Sequence, residues 1–550
     1  MLDGSLRYHA AVDPLREDRS PSASAMAELF LPLHRLLGGD GDPRLGIDPA
    51  SGLNQYGCQP FPCPDTLSFA SSTATSISQR AYDRAGLARE ALLQSAIAVG
   101  IDAAFDARIE AMREELKACL GLSPTEADVV FSPSGTDAQL QALFLARALL
   151  GPALTTVIVA ADQTGSGTAD TACGHHFNAA TANGSRVAKG EPIAGLADSV
   201  TSIALGLFDE SGDFHPQAET DARVFDAVES SIANRAGVVL QIMDSSKLGW
   251  RAPSDQCLDE ISWRWPDQVR IVVDACQMRL GRPRLKKYLD RGYIVIITGS
   301  KFFTGPAFSG ALLIPAALGS ALAAVSEIAP GLCEYTSRSD WPKNWRVLRS
   351  GFPIRTNFGQ WLRWEAALEE TRAYFNVPDQ FRRSALTTFG NGVQRIINSS
   401  PSLRLLPPQQ KPAGGIDDEE LAQTTIFPFV IRQHDRVLPL DDCRKIYRAL
   451  ARDAGNGVSA DESGCDPKIA AQRCLVGQPV ALGHRQRHPI AALRICSSAR
   501  LVTETWSSDA DTAHRNLQRE LGHVAAVAAK IEWLLAHPES LNVTEISAQA

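Results

Sequence analysis

The stretch Tyr293-Ile294-Val295-Ile296-Ile297-Thr298-Gly299-Ser300-Lys301-Phe302-Phe303-Thr304-Gly305-Pro306 sets the fold class of this chain. Its opening residues are β-branched and aromatic, the composition of a buried strand. Lys301 follows at once, and a lysine at the mouth of a buried strand is costly unless its charge has a task. Upstream by 27 positions (301 − 274), another apolar run, Val269 to Val273, ends on Asp274, and Gln277 stands three residues further on. A strand-end lysine and a strand-end aspartate together suggest the task. Lys301 would hold an aldehyde cofactor as a Schiff base, and Asp274 would keep a pyridine nitrogen protonated. Pyridoxal 5'-phosphate (PLP) meets both requirements.

Outward from these two strands the chain alternates short apolar runs with helical periodicity. Strands are expected at Asp128 to Phe131, Thr155 to Ala160, Val238 to Met243, Val269 to Val273 and Tyr293 to Ile297. Gly310 to Pro315 would return as an antiparallel neighbour. Helices are expected at Thr136 to Leu150 and Ala218 to Asn234, with a long helical region from Ser78 to Leu120 closed by Gly121. Near-continuous apolar strands separated by helices predict an α/β fold, a mostly parallel sheet covered on both faces. Past the loop Pro407 to Gly415, strands at Thr425 to Val430 and Ala492 to Cys496, with helices at Leu440 to Ala454 and Asp511 to Leu535, predict a smaller C-terminal α+β domain. The expected division is an N-terminal arm over residues 1–64, a large domain over 65–345 and a small domain over 346–550. The arm carries one short amphipathic piece, Met26 to Leu37.

Composition narrows the function classes. The 54 basic and 62 acidic side chains give a net charge of −8 with no long basic run, which argues against nucleic acid as a partner. No apolar run is long enough for a membrane span, and the start lacks the basic-then-apolar order of a secretory signal, so a soluble, cytoplasmic protein is expected. Eleven cysteines, an odd number scattered along 550 residues, read as reduced thiols. Neither Cys58 with Cys63 nor His175 with His176 has a second pair at zinc-site spacing, so no metal site is expected.

In an open α/β sheet, ligands gather beyond the carboxyl ends of the strands. Four candidate clusters fall at such ends. Ser134-Gly135-Thr136 opens a helix, where the amides of Gly135 and Thr136 and the Thr136 hydroxyl could take a phosphate. Asp274 would face the ring nitrogen, with Gln277 donating to the phenolic oxygen. Thr298 and Ser300 flank Lys301 with hydroxyls for the same phosphate. In Asp244-Ser245-Ser246-Lys247, Ser246 could reach the phenolic oxygen, while Lys247 reads as a solvated side chain.

The series Ser134-Gly135-Thr136-Asp137-Ala138, Asp274-Ala275-Cys276-Gln277 and Ser300-Lys301 through Gly305-Pro306 and Gly310 resembles fold-type I PLP enzymes, most closely the class V aminotransferase and cysteine desulfurase branch, over roughly residues 65–535. The resemblance implies Lys301 as the Schiff-base lysine and Asp274 as the pyridinium partner. It also implies Thr298 and Ser300 as phosphate ligands, and Arg494 as the grip on a substrate α-carboxylate. In such enzymes a loop at Gly351 to Phe358 crosses a dimer interface, which implies a homodimer in which Arg355 or Thr356 touches the partner's phosphate. Where the branch has histidines beside the lysine and on the ring, this chain has Ser300 at the first place and Gln163 or Thr164 at the second. The function implied is a PLP-dependent, aminotransferase-like enzyme acting on an amino acid. Alternatives are a C–S lyase or desulfurase using Cys474 (with Cys465 a further candidate thiol) and a catalytically silent binding protein on the same scaffold.

Overall fold

A computed structural model describes residues 21–39, 42–49, 51–71, 73–209, 212–408, 421, 424–433, 436–454, 467–485 and 488–541. Its centre is a seven-stranded sheet built from β1 (Ala127–Ser132), β2 (Leu154–Val159), β3 (Val200–Leu205), β4 (Gly237–Met243), β5 (Val269–Asp274), β6 (Ile294–Thr298) and β7 (Gly310–Pro315). The order across the sheet is β1-β7-β6-β5-β4-β2-β3. The pairs β2/β3, β2/β4, β4/β5 and β5/β6 are parallel, while β7 runs antiparallel to both its neighbours. Six strands therefore point the same way and deliver their carboxyl ends to one edge. At that edge Gly310, the first residue of β7, lies between Ser132 and Thr298.

Every residue of β2, β6 and β7 is buried, so apolar layers cover both faces. The helices supplying those layers include α1 (Gln79–Val99), α2 (Ile101–Cys119), α3 (Gly135–Leu150), α4 (Gln217–Ala233), α5 (Asp255–Arg264), α6 (Arg282–Asp290) and α7 (Phe358–Asn376). The helical region expected from Ser78 to Leu120 consists of two helices. Gly100 separates α1 from α2 with φ 84° and ψ 152°, a conformation that glycine adopts and L side chains avoid. Helix α7 places Trp361 and Trp364 in the core, and its buried Glu365 is paired with Arg84 and Arg108. From the arm, Leu29, Leu33, Leu36 and Leu37 pack into the same core.

A smaller antiparallel sheet follows. Its strands are β8 (Leu403–Leu405), β9 (Ile426–Gln433), β10 (Gly477–Arg485) and β11 (His488–Cys496). β9 lies between β8 and β11, and β10 pairs with β11. Helices α8 (Asp379–Ser399), α9 (Leu440–Leu450) and α10 (Ala510–Ala536) enclose a separate apolar cluster with it. This is the expected fold class: an α/β molecule whose large, mostly parallel sheet is flanked by helices, with a small α+β unit toward the C-terminus. Of the loop Pro407 to Gly415, residues 409–415 lie outside the described residues. Among the described residues, no helix is long and apolar enough to cross a membrane.

Candidate functional site

At the carboxyl edge of the large sheet, turns from β1, β5 and β6 touch one another. Ser134 caps α3, its hydroxyl oxygen accepting from the N–H groups of Thr136 and Asp137 at 3.2 and 3.3 Å. A Cβ on Gly135 would stand 2.7 Å from Cys276 Sγ and 3.4 Å from Thr298 Cγ2. The start of α3 thus rests on the residues that follow β5 and end β6. Thr136 faces the turn after β2: a Cβ on Gly165 would lie 3.7 Å from its hydroxyl.

Asp274 closes β5 and is buried, with Oδ1 accepting from the Cys276 N–H at 3.0 Å. Among the described residues it forms no ion pair. Both Asp274 and Lys301 act electrostatically on the buried Cys276 thiol, which burial drives well above its usual range. Both residues therefore lie within electrostatic reach of one thiol at this edge of the sheet. The carbonyl of the half-buried Lys301 accepts from the Ser71 hydroxyl at 2.8 Å. Ser300 and Gln277 are buried beside these turns. The Thr298 hydroxyl donates to the Cys276 carbonyl at 2.7 Å, so its proton is already engaged. Ser246 is buried, and its oxygen accepts from the N–H groups of Leu248 and Trp250 at 3.1 and 3.0 Å, leaving its own proton to donate.

Arg494, on β11, reaches the same edge from the small sheet. Its Nη1 donates to the Lys247 carbonyl and its Nη2 to the Gln478 carbonyl, each at 3.1 Å. Nε is buried and, among the described residues, unpartnered, but a Cβ on Gly477 would stand 2.7 Å from it. That face of the guanidinium is covered by Gly477.

Lys247 departs from the sequence reading. The structure puts its ammonium group against the Thr164 carbonyl at 2.5 Å, within electrostatic reach of Arg494, Lys301, Asp274 and Asp162. Burial, then the two cations, push it down to about 8. Its position just past the carboxyl end of β4 was the available signal. Arg279, two residues beyond Gln277, was also missed: it donates to Ser71 Oγ at 2.8 Å and to the carbonyls of Ser497 and Thr425 at 3.0 and 3.3 Å. Gln163 is buried beside Thr164, with Oε1 unpartnered among the described residues. Thr356 is not brought to this group. Its neighbour Arg355 acts on Glu334 and Asp340 instead. Cys474 sits in the small-domain core, 1% exposed, and burial raises its thiol to about 11. Cys465 lies outside the described residues.

No protein-family model matches the chain, and no curated protein matches it by sequence. Solved structures do resemble it at low identity. A NifS-like protein is 12% identical, over 83% of this chain and 98% of its own, with a TM-score of 0.43. Ureidoglycine-glyoxylate aminotransferase from Bacillus subtilis is 11% identical, over 88% and 96%, with a TM-score of 0.47. Tryptophan decarboxylase from Catharanthus roseus, solved with L-tryptophan, is 14% identical, over 85% and 84%, with a TM-score of 0.44.

Proposed function

We propose that the chain is a PLP-dependent enzyme acting on an amino acid, with aminotransferase-like chemistry. The observation that carries this reading is the meeting of three turns: the Ser134-capped helix start at Gly135, the buried carboxylate of Asp274, which forms no ion pair among the described residues, and the Lys301 loop. A buried carboxylate without a cation is costly, and a protonated ring nitrogen is a cation of the right kind for it. The helix start offers amides and a favourable dipole to a phosphate.

Bound there, pyridoxal phosphate would supply an aldehyde and an electron-accepting ring. Asp274 would hold the proton on the ring nitrogen. The Gly135 amide, with the Thr136 and Ser300 hydroxyls, would bind the phosphate, the Thr136 amide being already engaged by the Ser134 cap, and Thr298 would support them through the Cys276 carbonyl. Ser246 and Gln277 supply donors for the phenolic oxygen. Lys301 Nζ would hold the aldehyde of the cofactor and is the amine that would take and return the proton at the substrate Cα. Arg494 would orient the α-carboxylate from its Nη edge. Thr356 is consistent with a role only across a dimer interface, so the reading includes a homodimer. A desulfurase route through Cys474 is not favoured, since a nucleophilic thiol must ionise near neutrality and be reachable.

The test is spectroscopic. Wild-type protein supplied with PLP is expected to show the visible absorption of a lysine-linked cofactor, and Lys301→Ala to lose it while still folding. A panel of amino acids paired with a 2-oxo acid should then reveal amino-group transfer. Wild-type protein that stays colourless with added PLP would overturn the reading and favour the silent scaffold.

A further inference from the structure

Lys247 has no part in the chemistry above, yet it occupies the same edge of the sheet. Its backbone carbonyl accepts from Arg494, and its ammonium group spans to the Thr164 carbonyl on the turn after β2. One of its three N–H donors is thereby satisfied, and among the described residues it forms no ion pair. The groups facing it are Arg494, Lys301, Asp274 and Asp162. Asp162 is committed elsewhere, accepting from the N–H groups of Leu207 and Phe208.

A charge count follows from the reading just proposed, on which this inference rests. Cofactor binding would occupy the Lys301 amine and pair Asp274 with the ring nitrogen. Two cations, Arg494 and Lys247, would then face the substrate space. An amino acid's α-carboxylate compensates one. The ammonium group of Lys247 then has two candidate anions, the cofactor phosphate and a further anion brought by the ligand, and the hydrogen bond from Arg494 Nη1 to the Lys247 carbonyl at 3.1 Å favours the second. We infer that Lys247 is a specificity residue that selects an amino acid carrying a second carboxylate on its side chain.

The probes are succinate and butyrate, four-carbon acids that differ by one carboxylate and carry no amine to react. Their affinities for the cofactor-loaded protein are measured by calorimetry, with the visible absorption of each sample recorded. Succinate is expected to bind about tenfold tighter than butyrate near pH 7. Lys247→Met should bring the two within about twofold, and Lys247→Arg should keep the preference. In wild-type protein the preference should fade by about pH 9.5, because the amine loses its proton. This last measurement needs no variant to fold. A wild type with the visible band but no preference, or a preference that survives in Lys247→Met, overturns the inference and leaves the cofactor reading standing. Weakened PLP binding in Lys247→Met with the preference intact also overturns it, by making the cofactor phosphate the partner of Lys247. A wild type without the band removes both.

Discussion

Asp137 shows what the turn at Gly135 costs the fold. Its carboxyl is 2% exposed in the first turn of α3, and burial raises it from 3.8 to about 7 against the opposing pull of Arg44 and the Ser134 hydroxyl. The folded state therefore keeps a proton that the unfolded chain has already released between those two values. Stability attributable to this group falls as pH rises through that window and stays low above about 7. Asp137→Asn preserves an acceptor for Ser134 and removes the ionisation. The expected outcome is a variant more stable than wild type, with the gain roughly 2 kcal/mol larger at pH 8 than at pH 5. Chemical denaturation at the two pH values measures it, and an equal effect at both would remove burial of Asp137 as the cause. Lys247 carries the opposite lesson. A lone lysine after a strand gives no periodic signal, and its neighbour Arg494 is 247 residues away in sequence. Strand-end position was legible; the approach of a second domain was not.

At the scale of elements, the strands that were legible are those buried on both faces, where an apolar run is nearly continuous. β3 escaped notice because it is an edge strand whose residues alternate between half-buried and exposed, so Val200 to Leu205 never reads as a core run. β10 escaped because Gly477, Pro479 and Gly483 interrupt its apolar positions. The break at Gly100 was hidden by helix formers on both sides, across which the three-and-four spacing continues. Gly310 is where elements and site are most tightly coupled. A Cβ there would stand 2.9 Å from Gly135 N and closer still to the Ser134 carbonyl carbon and oxygen, all backbone atoms. They cannot swing aside, so the start of α3 would have to move off β7. Gly310→Ala is expected to cost about 1–3 kcal/mol of stability and to weaken PLP binding by more than tenfold. Fluorescence titration with PLP and a thermal melt check the two effects. Unchanged cofactor affinity would mean that the turn at Gly135 does not hold the phosphate.

The whole molecule is held at the site by links that cross between its two sheets, and these were the least legible feature of all. The Ser71 hydroxyl donates to the Lys301 carbonyl and accepts from Arg279. Arg279 in turn donates to Thr425 and Ser497, residues flanking β9 and β11, while Leu67–Ser68 pairs with Cys474–Leu475 and the Ala499 N–H donates to the Phe302 carbonyl. One buried guanidinium thus ties the Asp274 turn, the Lys301 loop and the small sheet together. Burial lowers its pKa to about 10, and among the described residues its Nε is unpartnered, so the residue is held at an electrostatic cost. Methionine fills much of the same volume without the charge but leaves the carbonyl of Ser497 and the hydroxyl of Ser71 each short of a donor. Removing one partner of such a buried network is expected to destabilise by about 2–4 kcal/mol. Because Arg279 joins two apolar clusters instead of filling either, Arg279→Met should uncouple them: scanning calorimetry is expected to resolve two transitions, with the lower belonging to the small domain. Limited proteolysis should cut the variant between the domains before either core. A single transition at the wild-type temperature would show that the two sheets are joined by their apolar contacts and by Arg494, and that Arg279 is no more than a tolerated buried charge.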